Sequence, residues 1–244
     1  MRIAIIGSAC QGKTTFINDF LKNWPTYKRS KESYRDLVKK EKLKINKEVN
    51  SDGQWKILNS LIDDLQSTEK TDKIIFDRCP LDNLIYSMWS FDKQTSDIDK
   101  EFIDKCIPLV SESMRHLDII FFFPITKVAP VEVEKRELRE IDKAFIEEVD
   151  NIFKAVQRSY YTGKSPFFPK DDSPAIIEIF GTPEERIKMA ELYLNKNGEL
   201  HGEEESVLNP ENLDYMETLL KAQKKAQEQE EEEVKLRKKF LFNK

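Results

Sequence analysis

The chain has 244 residues, enough for one α/β domain of ordinary size and an appendage, and 35% of them are charged with a net charge of −5. That balance excludes a broad electrostatic footprint for nucleic acid, though it leaves room for a local basic face. No apolar run approaches the roughly 18 residues of a membrane span. Three cysteines (Cys10, Cys79 and Cys106) lie in no metal-ligand spacing, and the two histidines, His116 and His201, are far apart. Zinc therefore has little support, and cysteine usage fits a reducing compartment. With no signal peptide ahead of the first strand, a cytoplasmic protein with no membrane partner is expected.

Ile3-Ala4-Ile5-Ile6 is a short apolar run of the kind a buried parallel strand presents. It breaks at Gly7, and Lys13-Thr14-Thr15 opens a helix. Between them, Gly7-Ser8-Ala9-Cys10-Gln11-Gly12-Lys13-Thr14 fits G-x-x-x-x-G-K-(S/T), the phosphate-binding P-loop. Small residues let backbone N–H groups turn inward around a phosphate, and the helix N-terminus adds partial positive charge. Lys13 is placed to reach the β/γ-phosphate oxygens and the Thr14 hydroxyl to bind Mg²⁺. A strand immediately before and a helix immediately after supply the context the motif requires. The stretch reads as a nucleoside triphosphate site. Its helix carries Phe16, Phe20 and Leu21 on one side, and Trp24 closes it before Pro25.

Lysine is dense from Lys28 to Lys47, which suits either a solvated helical face or a basic surface. Within that run, Glu32-Ser33-Tyr34-Arg35 falls where a second strand hands over to a helix. In a P-loop kinase that position faces the acceptor. Glu32 is a candidate base for an attacking hydroxyl and Arg35 a candidate partner of the transferring phosphoryl group, or the two form a surface ion pair. Asn50-Ser51-Asp52-Gly53 signals a turn and N-cap. The helix after it places Trp55, Leu58, Leu61, Ile62 and Leu65 at core spacing, with Gln54 and Trp55 on a first turn that could reach a base.

Ile74 to Phe76 reads as another buried strand, with Asp77 at its carboxyl end, where ligands sit in parallel sheets. A carboxylate there can hold Mg²⁺ or its water, and Arg78 suits an anionic substrate. The alternative is a helix cap with an ion pair. Asp82 either orients Arg78 or caps a helix over Leu84 to Phe91. Ile103 to Leu117 is a further helix, with His116 at its end. Asp118 to Pro124 is an apolar strand too short for a membrane. Beyond a loop, Glu134 begins a helix expected to run to about Tyr161. Arg136 and Arg139 share a face of it, either as a mobile lid over phosphate or as surface partners of Glu132, Glu140 and Asp142.

Pro174 to Phe180 is the last expected strand. In the following Gly181-Thr182-Pro183-Glu184-Glu185-Arg186, Thr182 reads as an N-cap, Pro183 as the first helical residue and Glu185 as the box residue. Gly181 and Thr182 also fall where the adenine ring lies in this fold. The character changes after Leu194. Residues 196–210 read as a polar linker, and 211–244 as one long charged helix with a sparse apolar stripe. That helix is expected either to dock or oligomerise, through a protein partner or a second copy, or to be an unstructured tail.

Together, GSACQGKTT, the Glu32-to-Arg35 E-x-x-R, Asp77-Arg78-Cys79-Pro80-Leu81-Asp82, the arginines Arg136 and Arg139, and GTPEER resemble small P-loop kinases. The likeness is to NadR-type ribosylnicotinamide kinase-like ATPases, common in bacteriophage genomes, and to the thymidylate and deoxynucleoside kinase group. It covers roughly Met1 to Asn195. The resemblance implies phosphate and Mg²⁺ binding by Gly12, Lys13, Thr14 and Thr15, and acceptor binding or base duty for Glu32. It also implies metal or substrate contact by Asp77 and Arg78, and lid duty for Arg136 and Arg139. Deoxynucleoside kinases usually read E-R-S where this chain has Asp77-Arg78-Cys79, and ribosylnicotinamide kinases lack the arginine, so the motif assigns neither substrate.

The expected fold is a P-loop NTPase three-layer α/β sandwich, its parallel sheet of about five strands in the order 2-3-1-4-5, with the C-terminal helix appended. The expected activity is transfer of the γ-phosphoryl group of ATP, with Mg²⁺, to a nucleoside or nucleotide. Two alternatives keep the fold. One accepts a nucleic-acid end or a modified base in DNA and would lose affinity with salt. The other is an ATPase switch with a protein partner on the long helix.

Overall fold

The computed structural model describes residues 1–30, 34–127, 142–201, 217–222 and 224–225. Five strands, β1 (Arg2–Ile6), β2 (Lys28–Arg29), β3 (Ile74–Asp77), β4 (Ile119–Phe122) and β5 (Ala175–Glu178), form one sheet in the order β2-β3-β1-β4-β5. Every pairing is parallel, with Ala4 opposite both Phe76 and Ile120. The expected order and sense are therefore those observed.

The centre of the sheet is buried on both faces because β1, β3 and β4 are apolar along nearly all their length, whereas the edge strand β2 is Lys28–Arg29 and exposed. Ile3 and Ile5 join one core with Phe121, Ile177, Phe16 and Phe20. Ala4 and Ile6, pointing the other way, join a second core with Phe76, Ile120, Phe122 and Leu58. Helices α1 (Lys13–Asn23) and α7 (Pro183–Glu191) cover the first face. The second face carries α3 (Ser51–Gln66), α4 (Pro80–Lys93), α5 (Lys100–Ser113) and α6 (Lys143–Tyr161), while the short α2 (Tyr34–Glu41) packs beside α3.

Local signals explain the helix ends. The Asn50 side chain caps α3 by accepting from Gly53 N–H, and Thr182 with Glu185 forms the expected capping box of α7. Helix α4 begins four residues before the expected Leu84, because Cys79 occupies the cap position and Asp82 closes its box. Cysteine is outside the usual capping set, which hides this start in the sequence. Helix α5 spans Lys100–Ser113 and tightens into a 3-10 turn at Met114–His116, so the expected C-terminal segment is a different helix type.

Past α7, Leu194 pairs with Leu200 in an antiparallel bridge, and the Tyr27 hydroxyl donates to Gly198 carbonyl at 2.6 Å. Residues 217–222 are helical, and Leu219 is buried against the α1–α7 side of the core while Leu220 is exposed. Among the described residues, no helix is long and apolar enough to cross a membrane.

Candidate active site

Three strand ends build the site. Arg78 N–H donates to Ile5 carbonyl, Phe123 N–H to Ile6 carbonyl, and Ile179 N–H to Phe122 carbonyl. These bonds place Gly7, Arg78 and Phe123 together along the carboxyl edge of the sheet.

Gly7 has φ 138° and packs against the next strand so tightly that a Cβ would stand 2.6 Å from Phe123 carbonyl oxygen. Gly12, at the N-cap of α1, has φ 73°, and a Cβ there would come within 2.8 Å of Arg186 Nη1. Both positions favour glycine for conformation, and at Gly7 a backbone oxygen also leaves no space for a side chain. Cys10 between them also has a positive φ, 62°. The loop is thus held in a backbone path that bulkier residues resist, the condition for presenting N–H groups to an anion.

Lys13, 6% exposed, donates from Nζ to Gly7 carbonyl at 2.8 Å and also to Ser8 carbonyl. Ser8 is fully buried, and its Oγ has no hydrogen-bond partner among the described residues. Thr14 donates from Oγ1 to Asp77 Oδ2 at 3.5 Å, while Thr15 is exposed on the first turn of α1. Ala9 and Cys10 are partly buried against the core, and Gln11 is buried. The buried Asp77 Oδ1 has no hydrogen-bond partner among the described residues. A hydroxyl and an incompletely satisfied carboxylate at the end of a P-loop are the donor set a hard divalent cation takes, so Thr14 and Asp77 fit Mg²⁺.

The structure separates Asp77 from its sequence neighbour. Arg29 from β2 is the cation on Asp77, at 3.3 Å from Oδ2. Arg78 has φ 84°, turns toward α4, and places its guanidinium 3.4 Å from Asp82 Oδ1 and 5.0 Å from the Tyr86 ring centre. A positive φ at a non-glycine residue costs energy that surrounding structure must hold in place. Asp82 serves both expected roles, pairing with Arg78 and accepting from Cys79 N–H at 3.3 Å. Burial pushes its carboxyl up to about 6, against the pull of Arg78, Lys13 and the Cys79 and Gly7 N–H groups. Burial also pushes the Cys79 thiol well up, so it stays protonated beside that carboxylate.

Beside Arg78 a cleft open to solvent is lined by α3 and α4 and by the turn before α3. Its polar groups include Gln54, Arg78, Asp82, Asn83 and Asn46, and its apolar wall includes Ile57 and Leu61. Asn83 Nδ2 donates to Gln54 Oε1, both residues being buried, and Asn83 Oδ1 has no hydrogen-bond partner among the described residues. Trp55 turns elsewhere, against Phe102 and under the Lys105 ammonium.

Gly181 and Thr182 lie past β5. The Thr182 hydroxyl is engaged in its capping bond, and Gly181 carbonyl accepts from Arg186 Nε at 2.9 Å. Glu32, Arg136, Arg139 and the Arg35 side chain lie outside the described residues; the Arg35 backbone belongs to α2. Sequence reading missed Arg29, Arg186 and Asn83. Each lay in or beside a stretch already noted: Arg29 in the lysine-dense run, Arg186 at the end of GTPEER, and Asn83 one residue past DRCPLD.

A parallel sheet ordered 2-3-1-4-5, with a glycine-bounded anion cradle between β1 and α1, defines a P-loop NTPase domain. A family model described as an AAA domain matches residues 2–161, and the chain belongs to that family. No curated protein matches at the level of sequence.

Among solved structures, NadR protein in complex with NR is similar at TM-score 0.51 and 15% identity, covering 81% of this chain and 48% of that one. The chain thus spans about half the length of the NadR chain. The deoxyadenosine kinase of M. mycoides with products dCMP and a flexible dCDP bound is similar at TM-score 0.53 and 18% identity, over 78% of this chain and 96% of that one. With bound dATP the same kinase gives TM-score 0.51 at 18% identity, over 78% and 97%. These likenesses are likenesses of fold.

Proposed function

We propose that the chain is a nucleoside or nucleotide kinase, transferring the γ-phosphoryl group of ATP to a small acceptor held in the Gln54–Asn83 cleft. One observation carries this reading: Asp82 touches both halves of the site. It faces Gly7 and Lys13 of the phosphate cradle and holds Arg78 on the wall of the cleft. A donor phosphate on the P-loop and an acceptor in the cleft would therefore meet at Arg78. The Gln54–Asn83 amide pair offers buried donors and acceptors to a planar, hydrogen-bonding ligand such as a base.

In this reading the P-loop N–H groups and Lys13 bind the β- and γ-phosphates. Mg²⁺, held by Thr14 and Asp77, would neutralise phosphate charge. The acceptor oxygen attacks the γ-phosphorus as the bond to the ADP oxygen breaks, and the acceptor proton passes to a carboxylate that we assign as Glu32. Asp82 is committed to Arg78 and to the α4 cap, so it positions and does not act as base. Arg35, Arg136 and Arg139 are assigned to the phosphoryl group in flight, and Gly181 and Thr182 to the adenine side. We assign residues 1–195 to the kinase domain, 196–210 to a linker and 211–244 to a docking helix, whose Leu219 contact supports attachment to the domain's own face.

Gln54→Leu tests the cleft. It should raise the acceptor KM about tenfold and leave the ATP KM within about twofold, since one lost buried hydrogen-bonding pair is worth roughly 1–3 kcal/mol. Equal effects on both substrates would contradict the assignment of the cleft to the acceptor.

A further inference from the structure

Arg186 is a buried cation with no counter-ion among the described residues. It is 5% exposed, on the first turn of α7, and forms no ion pair with any described carboxylate. Its Nε donates to Gly181 carbonyl at 2.9 Å and its Nη1 to Gln11 carbonyl at 2.6 Å. Its guanidinium carbon stands 4.9 Å from the Phe123 ring centre. Burial lowers its pKa to about 10, with no charge among the described residues offsetting the effect.

Two carbonyls and an aromatic face compensate part of the desolvation of a guanidinium, not its charge. Buried charges in folded proteins are as a rule paired, because leaving one uncompensated is strongly destabilising. The nearby Glu185 is occupied elsewhere, its carboxylate accepting from Thr182 N–H at 2.7 Å. The guanidinium instead lies directly behind the phosphate cradle, in contact with Gly12 and Gln11. Ser8 Oγ, buried and partnerless among the described residues, marks the same cradle as built for a ligand.

We propose that Arg186 is a positioning residue for nucleoside polyphosphates, supplying from behind the P-loop a charge that is compensated only when a polyphosphate is bound. Its fork also fixes Gln11 carbonyl away from the cradle and ties that loop to Gly181. Phosphate occupancy is thereby coupled to the loop after β5. The inference rests on the P-loop's nucleotide-binding role and is independent of the acceptor.

Arg186→Lys keeps the charge and loses the fork, whereas Arg186→Gln keeps hydrogen bonding and loses the charge. ATP, AMP and adenosine binding would be measured by calorimetry for both variants and wild type, with thermal melts of the nucleotide-free proteins. The expected result is a loss of at least about tenfold in ATP affinity for Arg186→Gln, little change for adenosine, and Arg186→Lys within about threefold of wild type. The nucleotide-free Arg186→Gln protein should melt no lower than wild type, since a buried unpaired charge has been removed. Arg186→Gln binding ATP as well as Arg186→Lys would overturn the proposal. So would a fall in melting temperature with ATP affinity unchanged, which would make Arg186 a structural strut. Wild type failing to bind ATP would instead overturn the P-loop reading itself.

Discussion

Arg29 Nη2 and Asp77 Oδ2 stand 3.3 Å apart, so the carboxylate at the tip of β3 is held between a cation from β2 and the Thr14 hydroxyl. The pairing crosses from the sheet's edge strand to the strand beside the P-loop. Arg29 is half-exposed, whereas Asp77 is buried. A divalent ion at Thr14 and Asp77 must therefore compete with a resident guanidinium.

Arg29→Gln is expected to tighten binding of Mn²⁺, as a probe for Mg²⁺, to the nucleotide-free protein by about threefold, the scale of a half-exposed ion pair. Paramagnetic titration would read this directly. Weaker binding in the variant would show that Arg29 organises Asp77 for the metal.

The two P-loop glycines should respond differently to alanine. At Gly7 the new methyl meets a backbone oxygen that cannot move, and the positive φ adds roughly 1–3 kcal/mol. At Gly12 it meets the end of the Arg186 side chain, which can shift, leaving mainly the left-handed backbone cost of about 1–2 kcal/mol. Gly7→Ala should therefore lose more stability in chemical denaturation than Gly12→Ala. The reverse order would mean that Arg186 is rigidly fixed.

Asp82 gives a pH signature. Its folded carboxyl titrates near 6 against an ordinary 3.8, so between those values the folded state holds more protons than the unfolded one. The contribution of Asp82 to stability therefore falls as pH rises through that window and stays low above it. Melting temperatures of wild type and Asp82→Asn from pH 4 to 8 isolate it. The wild-type value minus the variant value should shrink up to about pH 6 and then level off. Parallel curves would contradict the raised pKa of Asp82.

How much of this was legible in the sequence depends on how local the physics is. The P-loop, the Asn50 cap and the Thr182–Glu185 box are contiguous signals, and the apolar strands announce a sheet covered on both sides. These fixed the topology. Arg29 was hidden because β2 is two residues long and its side chain acquires meaning only beside Asp77, forty-eight positions away. Arg186 closes GTPEER, but its side chain acquires a role only because α7 lies behind Gly12. Gln54 and Asn83 belong to different helices and form a pair only when α3 packs on α4. Arg78 was misdirected by adjacency: it follows Asp77 in sequence, but its positive φ turns it to Asp82.

Lys13→Ala should weaken ATP binding by roughly 10–100-fold, the worth of a charge-assisted contact, while leaving acceptor binding near wild type. Calorimetry with each ligand alone distinguishes this from unfolding, which would abolish both.

The central claim is that phosphoryl transfer occurs between the P-loop and the Gln54–Asn83 cleft. Its most direct test follows label from γ-labelled ATP to a panel of nucleosides, nucleoside monophosphates, nicotinamide riboside and 5′-hydroxyl DNA, with wild type and Glu32→Gln. Transfer to a nucleoside or nucleotide, lost in the variant, is the predicted result. Free phosphate alone across the panel, or transfer to DNA alone, would contradict the small-molecule kinase.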